Sequence, residues 1–471
     1  PQDHFQFPIM PNQQNFLSGN MGEIRGDHFH AGIDIRTGGK TGNPVYAAAD
    51  GYVYRIKIST GGYGNVLYIA HPAQMTQLQE GYITVYAHLK KFNEPIARYV
   101  RQKQYQNESF QIELFPDSRQ FPVKKGQQIG LSGNSGSSRG PHLHFEIRDD
   151  TEKALNPLYF GFDEIKDNIP PRFFKIALRT LDIRSRINGE FGRLEFIPII
   201  EETINVTGLI GIEIESYDQV NRSRRKMGVN FIELMMDNTL LYRYHLEKLN
   251  FNKTKNVKVH IDYETALREK RKFQRCYLAD GNILKCYHTP GLSPPGNSVG
   301  QAGRKGKIFI NDTLLHSVTI RIYDAYHNSA QIKLTLKGAS SKFDIHEPFP
   351  PPPTTINYSV FENILKVSAK GYAHYNSPAQ IFINSFNYEL PAAYNNNNEV
   401  VYLWDLRKGL PDSMNFCGIN KKFPFTEIIP SNTEFYFSNK KIDLYFSKKA
   451  LFDTLYLQIM NTDYTDKNTD Y

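Results

Sequence analysis

Cysteine is scarce in this chain, with three residues in 471, at positions 276, 286 and 417. So few do not establish a redox compartment. Cys276 and Cys286 flank "YLADGNILK", which reads as a hairpin with Asp280-Gly281-Asn282 at its tip. A three-residue loop sets the two cysteines opposite one another, where a disulfide would fit an oxidising compartment. A two-residue loop at Asp280-Gly281 instead puts Cys276 opposite Lys285 and turns the cysteines to opposite faces. Long apolar runs are also missing. Nothing approaches the ~20 residues that span a bilayer as a helix, so no transmembrane segment is expected in this sequence. Stretches with a hydrophobic period near ~3.6 are few, which counts against a helical fold. The net charge of +8 suits an anionic partner, yet no recognised nucleic-acid-binding motif accompanies it. The basic clusters "RSRRK" (Arg222 to Lys226) and "REKRKFQR" (Arg268 to Arg275) read as solvated loops, and nucleic acid is not an expected partner.

Tyr and Phe, by contrast, are plentiful, and Gly and Pro punctuate the whole chain, the profile of a mostly β protein. The length exceeds one ordinary core, so two or three domains are expected. In the first section, residues 1–166, "GNPVYAAADGYVYRIKI" predicts two strands split as a hairpin at Asp50-Gly51. "YITVYAHLKKF" predicts another strand, with Thr84, Tyr86 and His88 on one face and Ile83, Val85 and Ala87 on the other. Pro170-Pro171 cannot lie within a central strand and marks a boundary. In residues 167–345, "GIEIESYDQVNRSRRK" and "VTIRIYDAYHNSAQIKLTL" echo one another. Each is an alternating strand ending in an aspartate and a polar turn, a pattern that suits an immunoglobulin-like β-sandwich. Residues 346–355, "HEPFPPPPTT", read as a stiff Pro-rich linker. Residues 356–471 read as a C-terminal β domain, with Asn395 to Asn398 at a loop tip and a polar, disordered tail. Neither later section shows a catalytic constellation, and both read as modules for spacing or binding. Pro1 in place of Met suggests a processed start from which a signal peptide has been removed.

Chemistry gathers in the first section. "GPHLHFEIRD" alternates strictly and predicts a strand on which His142, His144 and Glu146 project together while Leu143, Phe145 and Ile147 enter a core. Two histidines on a solvated face are the ordinary alternative for such a pair. A hydrolytic zinc site takes three N/O ligands and leaves one position for water. Partners for the pair lie in "HFHAGIDIRT", where His30 and Asp34 stand beside Gly32 in a turn that feeds a strand. With one histidine of the distant strand they make a His-Asp-His set. His88 and the other strand histidine remain near the site, and amide hydrolysis needs groups of that kind to move protons and hold an oxyanion.

"HFHAGIDI", "YAHL" and "GPHLHFEI" resemble the three signature segments of the M23 metallopeptidases, the lysostaphin- or LytM-type peptidoglycan endopeptidases. The likeness covers about residues 14–160, and the glycine framework "PVYAAADGYV", "GYGNVLYIAH" and "KKGQQIGLSGNSG" fits it. It implies a LytM-type antiparallel β-sheet domain holding Zn2+. Position by position, His30, Asp34 and His144 match the metal ligands, and His88 and His142 match the catalytic histidines. The family pattern gives His28 no ligand role, and His71 is expected to be structural. The link from "YAHL" to "KKGQQIG", Asn93 to Phe121, is longer than in compact members. It has room for a short helix and is expected to shape or gate the cleft. "PQDHFQFPIMPNQQNF" is expected either to cross the groove or to pack against the sheet.

The resemblance implies cleavage of peptide cross-links in the bacterial cell wall. The layout of β modules after such a domain is similar to that of secreted or periplasmic proteins of the Bacteroidetes, and implies a D-alanyl–diaminopimelate bond. Peptidoglycan peptide stems are then the partner, drawn in part by net positive charge, and the β domains are expected to contact a cell-envelope protein. Two alternatives accompany this reading: a non-catalytic LytM-type scaffold or activator of another wall hydrolase, and a zinc peptidase acting on other proteins.

Overall fold

Alternation of apolar and polar side chains builds the sheet that carries the histidines. The computed structural model describes residues 4–76, 78–199, 202–290, 304–339, 355–370, 378–396 and 399–460. The main path of the first sheet runs Leu17–Gly19, Ile33–Arg36, His142–Asp149, Tyr82–Ala87, Asn65–His71, Gly51–Ile58, Ile112–Leu114, each strand antiparallel to the next. In His142–Asp149, Leu143, Phe145 and Ile147 are fully buried in one core. Its other face carries His142, His144, Glu146 and Arg148, as the period of two requires.

The core face is closed from two directions. The helix Glu94–Gln106 is capped by the Asn93 side chain, which accepts the Ile96 N–H, and it buries Ile96 and Val100. The N-terminal segment inserts Phe5, Phe7 and Ile9 into the same core, and the Gln6 N–H donates to the Ala48 carbonyl. That segment therefore packs beneath the sheet instead of crossing a groove.

Several local expectations change. Pro44–Tyr46 and Gly51–Ile58 do not pair as a hairpin. Pro44–Tyr46 joins Gln128–Leu131 and Lys91–Phe92 in a separate small sheet, leaving Asp50-Gly51 as a crossing between sheets. The stretch Asn93 to Phe121 holds the expected helix. Its strand Ile112–Leu114, however, lies at the far edge of the sheet, with three strands between it and His142–Asp149.

The second sheet follows Arg193–Phe196, Arg172–Thr180, Ile204–Tyr217, Ser329–Gly338, Leu315–Tyr323, Phe231–Met236, Thr239–His245, Tyr287–His288. Ile204–Val206 and Leu336–Gly338 run parallel; the other pairings on this path are antiparallel. Gln274–Arg275 pairs with Ile204–Tyr217, and Tyr287–His288 pairs with Thr239–His245. The segment between Cys276 and Cys286 is thus a link between two different strands, not a hairpin, and both are free thiols. Of the basic clusters, Arg222 and Arg224 to Lys226 are exposed as expected, with Ser223 buried among them. "REKRKFQR" is no solvated loop: Arg271 pairs with Glu195 and Glu215, and Lys272 donates to the Ile24 carbonyl.

The two cores interlock. Val220 and Met227 of the second section are buried in the first core, while Met21, Ile24, Phe29, Ala31 and Ala154 are buried in the second. A third core, around Leu365, Val367, Ile381, Val400 and Tyr402, belongs to the strands beyond residue 355. Asn395 and Asn396 lie in the strand Tyr394–Asn396. Residues 397–398, most of the Pro-rich linker and the polar tail lie outside the described residues.

Candidate metal centre

His30 and Asp34 arrive from a turn. The chain bends at Gly32, a position that needs glycine because a Cβ there would lie 2.2 Å from the Phe145 carbonyl oxygen. That close approach seats Asp34 opposite His144 in the ladder between Ile33–Arg36 and His142–Asp149. Three atoms then converge. His30 Nε2 lies 3.0 Å from Asp34 Oδ1 and 2.9 Å from His144 Nδ1, and His144 Nδ1 lies 3.0 Å from Asp34 Oδ1. All three residues are buried.

The outer partners decide which nitrogens face this point. His30 Nδ1–H donates to the Asn20 carbonyl at 2.8 Å, leaving Nε2 its lone pair. His144 Nε2–H donates to the Glu146 carboxylate at 2.8 Å, leaving Nδ1 its lone pair. With both rings neutral, two imidazole lone pairs and a carboxylate oxygen thus point at one another. Such a set fits a divalent cation of the zinc type, and the same three residues form a group able to hold a metal ion.

Electrostatics support the set. Arg25 Nη2 holds Asp34 Oδ2 at 2.8 Å. Burial opposes ionisation of Asp34, but His30, His142 and His144 outweigh it and hold its carboxyl well below the usual range. Burial likewise opposes protonation of His144, yet Asp34 and Glu146, one at each ring nitrogen, lift its pKa to about 9. A proton on Nδ1 and a cation at the centre therefore compete. Glu146 is itself buried with Arg148 Nε at 2.7 Å, and it accepts the hydroxyl of Tyr63. The Tyr63 ring stacks on His144 with centroids 5.0 Å apart.

Two further imidazoles flank the centre. His142 Nδ1–H donates to the Gly140 carbonyl at 2.8 Å, and its Nε2 lies 3.4 Å from Asp34 Oδ1. His88 Nδ1–H donates to the Ser135 carbonyl at 2.8 Å, and the rings of His88 and His142 are 4.8 Å apart. In each ring Nε2 lies away from the carbonyl partner, and that of His142 faces Asp34 Oδ1. His88 reaches this place against the alternation of its strand. Ile83, Val85 and Ala87 occupy the face of the histidines, while Thr84 and Tyr86 turn away and Tyr86 enters the first core. A continued strand would have sent His88 with them; instead it stands at φ 58°, which swings its ring back over the centre. Burial first, then the neighbouring His144 and His142, lowers its pKa to about 4.

All five singled-out residues, His30, Asp34, His144, His88 and His142, thus lie around one point. His28 does not; it is exposed beside Asp27. His71 is buried elsewhere, between the Asp50 carbonyl and the Thr84 hydroxyl. Sequence reading set Glu146 on the histidine face but gave no role to Arg25, Tyr63, Arg148 or Asn20. Only Arg148 carried a signal, by its place in the same alternation.

The model of peptidase family M23 matches residues 28–106 and 117–157, so only residues 107–116 of the long link fall outside it. An uncharacterized metalloprotease of Haemophilus influenzae is 32% identical over 151 residues, 32% of this chain and 24% of that protein. The DD-carboxypeptidase/endopeptidase Mpg of Neisseria meningitidis is 35% identical over 119 residues, 25% of this chain and 20% of that protein. The chain thus spans a quarter or less of these two relatives. Lipoprotein NlpD of Yersinia enterocolitica is 30% identical over 122 residues, 26% of this chain and 93% of that protein. These matches and the three motifs around one centre make the chain a member of peptidase family M23.

Proposed function

We propose that this protein is a zinc-dependent endopeptidase of the bacterial cell envelope that cleaves peptide cross-links of peptidoglycan, at the D-alanyl–diaminopimelate bond. The observation that carries the reading is the convergence of His30 Nε2, Asp34 Oδ1 and His144 Nδ1, with two more imidazoles beside them. Mpg, a DD-carboxypeptidase/endopeptidase by name, supports the substrate class.

His30, Asp34 and His144 would hold the ion. When bound, zinc supplies a Lewis acid that polarises a carbonyl and makes a neighbouring water acidic near neutral pH. The chain's own groups do the rest. Glu146 and the Asn20 carbonyl keep the ligand rings oriented. His88 and His142, each tied through Nδ1–H to a carbonyl, offer Nε2 to the substrate, so that the pair can accept a proton from water and deliver one to the leaving amine. The same imidazoles, when protonated, are donors to the tetrahedral oxyanion. In this reading the second section is an immunoglobulin-like module, and the later modules contact envelope partners in the periplasm or outside the cell.

Zinc content and digestion of cross-linked muropeptides, measured for wild type and His142→Ala, test this. About one zinc per chain in both, with cleavage by wild type alone, is the expected result. Zinc in both with cleavage of muropeptides by neither would overturn it, in favour of a scaffold or a peptidase of other proteins.

A further inference from the structure

The loop that delivers His30 is tied to itself only over a short stretch, where Gly22 to Arg25 pair with His28 to His30 around the isolated bridge between Ile24 and Phe29. The side chains and backbone that pack against this short pair come from the second section. Met21, Ile24, Phe29 and Ala31 are buried in the second core, beside Val229 and Leu246. Asn20 Nδ2 donates to the Gly228 carbonyl at 2.8 Å, and Asn20 Oδ1 accepts the Gly228 N–H at 2.9 Å. Gly228 sits so close that a Cβ there would lie 2.7 Å from Glu23 Cα. The Thr254 hydroxyl accepts the Phe29 N–H at 2.9 Å, one residue before His30.

These contacts lead straight to the centre. The residue whose side chain grips Gly228 is the one whose carbonyl accepts His30 Nδ1–H. The His30 main chain is tied inside the same loop, its N–H to the Glu23 carbonyl at 2.9 Å and its carbonyl to the Gly22 N–H at 2.8 Å. A carbonyl at Nδ1 fixes both the tautomer and the ring plane of a ligand histidine, and outer partners of this kind govern metal affinity. Such a carbonyl is only as well placed as the loop that bears it.

We propose that the second β section is a positioning element of the metal centre, with Asn20, Gly228 and Thr254 as positioning residues that hold His30. This rests on His30, Asp34 and His144 being the metal ligands. The centre is then a joint product of two sections, not the property of the family-matching third of the chain.

The test uses the full chain and Zn2+, with affinity read by competition against a chromophoric chelator and geometry read from the ligand-field spectrum of the Co2+ form. Asn20→Ala and Thr254→Ala are expected to weaken zinc about ten- to hundredfold and to alter the Co2+ spectrum. Their far-ultraviolet circular dichroism should stay that of wild type. Thr254→Ser, which keeps the hydroxyl, is expected to restore both readouts. Folded alanine variants with wild-type affinity and spectrum would overturn the proposal. Should Asn20→Ala fail to fold, the Thr254→Ala and Thr254→Ser pair decides alone. Zinc binding by wild type that is indifferent to His30→Ala would instead overturn the ligand assignment, and this proposal with it.

Discussion

The carboxylate of Glu146 accepts the Nε2–H of His144 at 2.8 Å from a position with no solvent exposure. The same carboxylate receives the Arg148 guanidinium and the Tyr63 hydroxyl. It therefore orients a candidate ligand while neutralising a buried cation. Glu146→Gln keeps an acceptor for His144 but leaves the Arg148 charge without its main partner. We expect zinc affinity to fall about tenfold or more and stability to fall by about 1–3 kcal/mol. Chelator competition and the denaturant midpoint measure the two effects separately.

His88 touches the centre without belonging to the ligand triangle. His88→Ala should lower cross-link cleavage by about 10²–10⁴-fold, the usual worth of a positioned acid or base, with zinc stoichiometry unchanged. Metal analysis beside a muropeptide digest decides this. Loss of zinc in that variant would make His88 a ligand or a support for one.

Asp167, Asp218 and Asp324 bring carboxylate oxygens within 4.8 Å of one another at the seam between the two sheets. Burial first, and then the neighbouring carboxylates, pushes Asp167 up to about 7 and Asp218 to about 8. In the unfolded chain an aspartate releases its proton near ~3.9, so from there to about pH 8 the native state holds protons that the unfolded state has lost. The contribution of these aspartates to stability must fall as pH rises through that window, against the opposite slope that the buried neutral His71 and His88 supply below about pH 6.5. Thermal unfolding from pH 5 to pH 8 should show wild type losing stability relative to Asp218→Asn as pH rises. A profile of the same slope in both proteins would refute the assignment.

Cys276 and Cys286 sit on a link between strands that pair with different partners. Peptide mapping after alkylation under denaturing, non-reducing conditions should find both residues alkylated. Reductant should leave the unfolding temperature unchanged. A Cys276–Cys286 cross-linked peptide would contradict this arrangement.

Much of the centre was legible in the chain itself, and the reason is local. A strand has a side-chain period of two, so the order of residues in "HLHFEIR" is enough to place Leu143, Phe145 and Ile147 inward and His142, His144 and Glu146 together on the other face. Gly32 likewise argued against a helix and for a turn into "IDIR"; the structure adds that a Cβ there would meet the Phe145 carbonyl. Alternation failed at His88, where one left-handed residue reverses the direction that the strand predicts. It also failed at Asp50-Gly51, where hairpin residues connect separate sheets. The tie between Asn20 and Gly228 has no trace in local pattern, and of the three aspartates at the seam only Asp218 and Asp324 left one, as the ends of the two echoing strands, with nothing to join them to Asp167. Sequence by itself determined which residue types share a strand face. Tertiary structure decided which distant loops close on that face, because burial and hydrogen bonding between segments some two hundred residues apart are settled only when both cores form together.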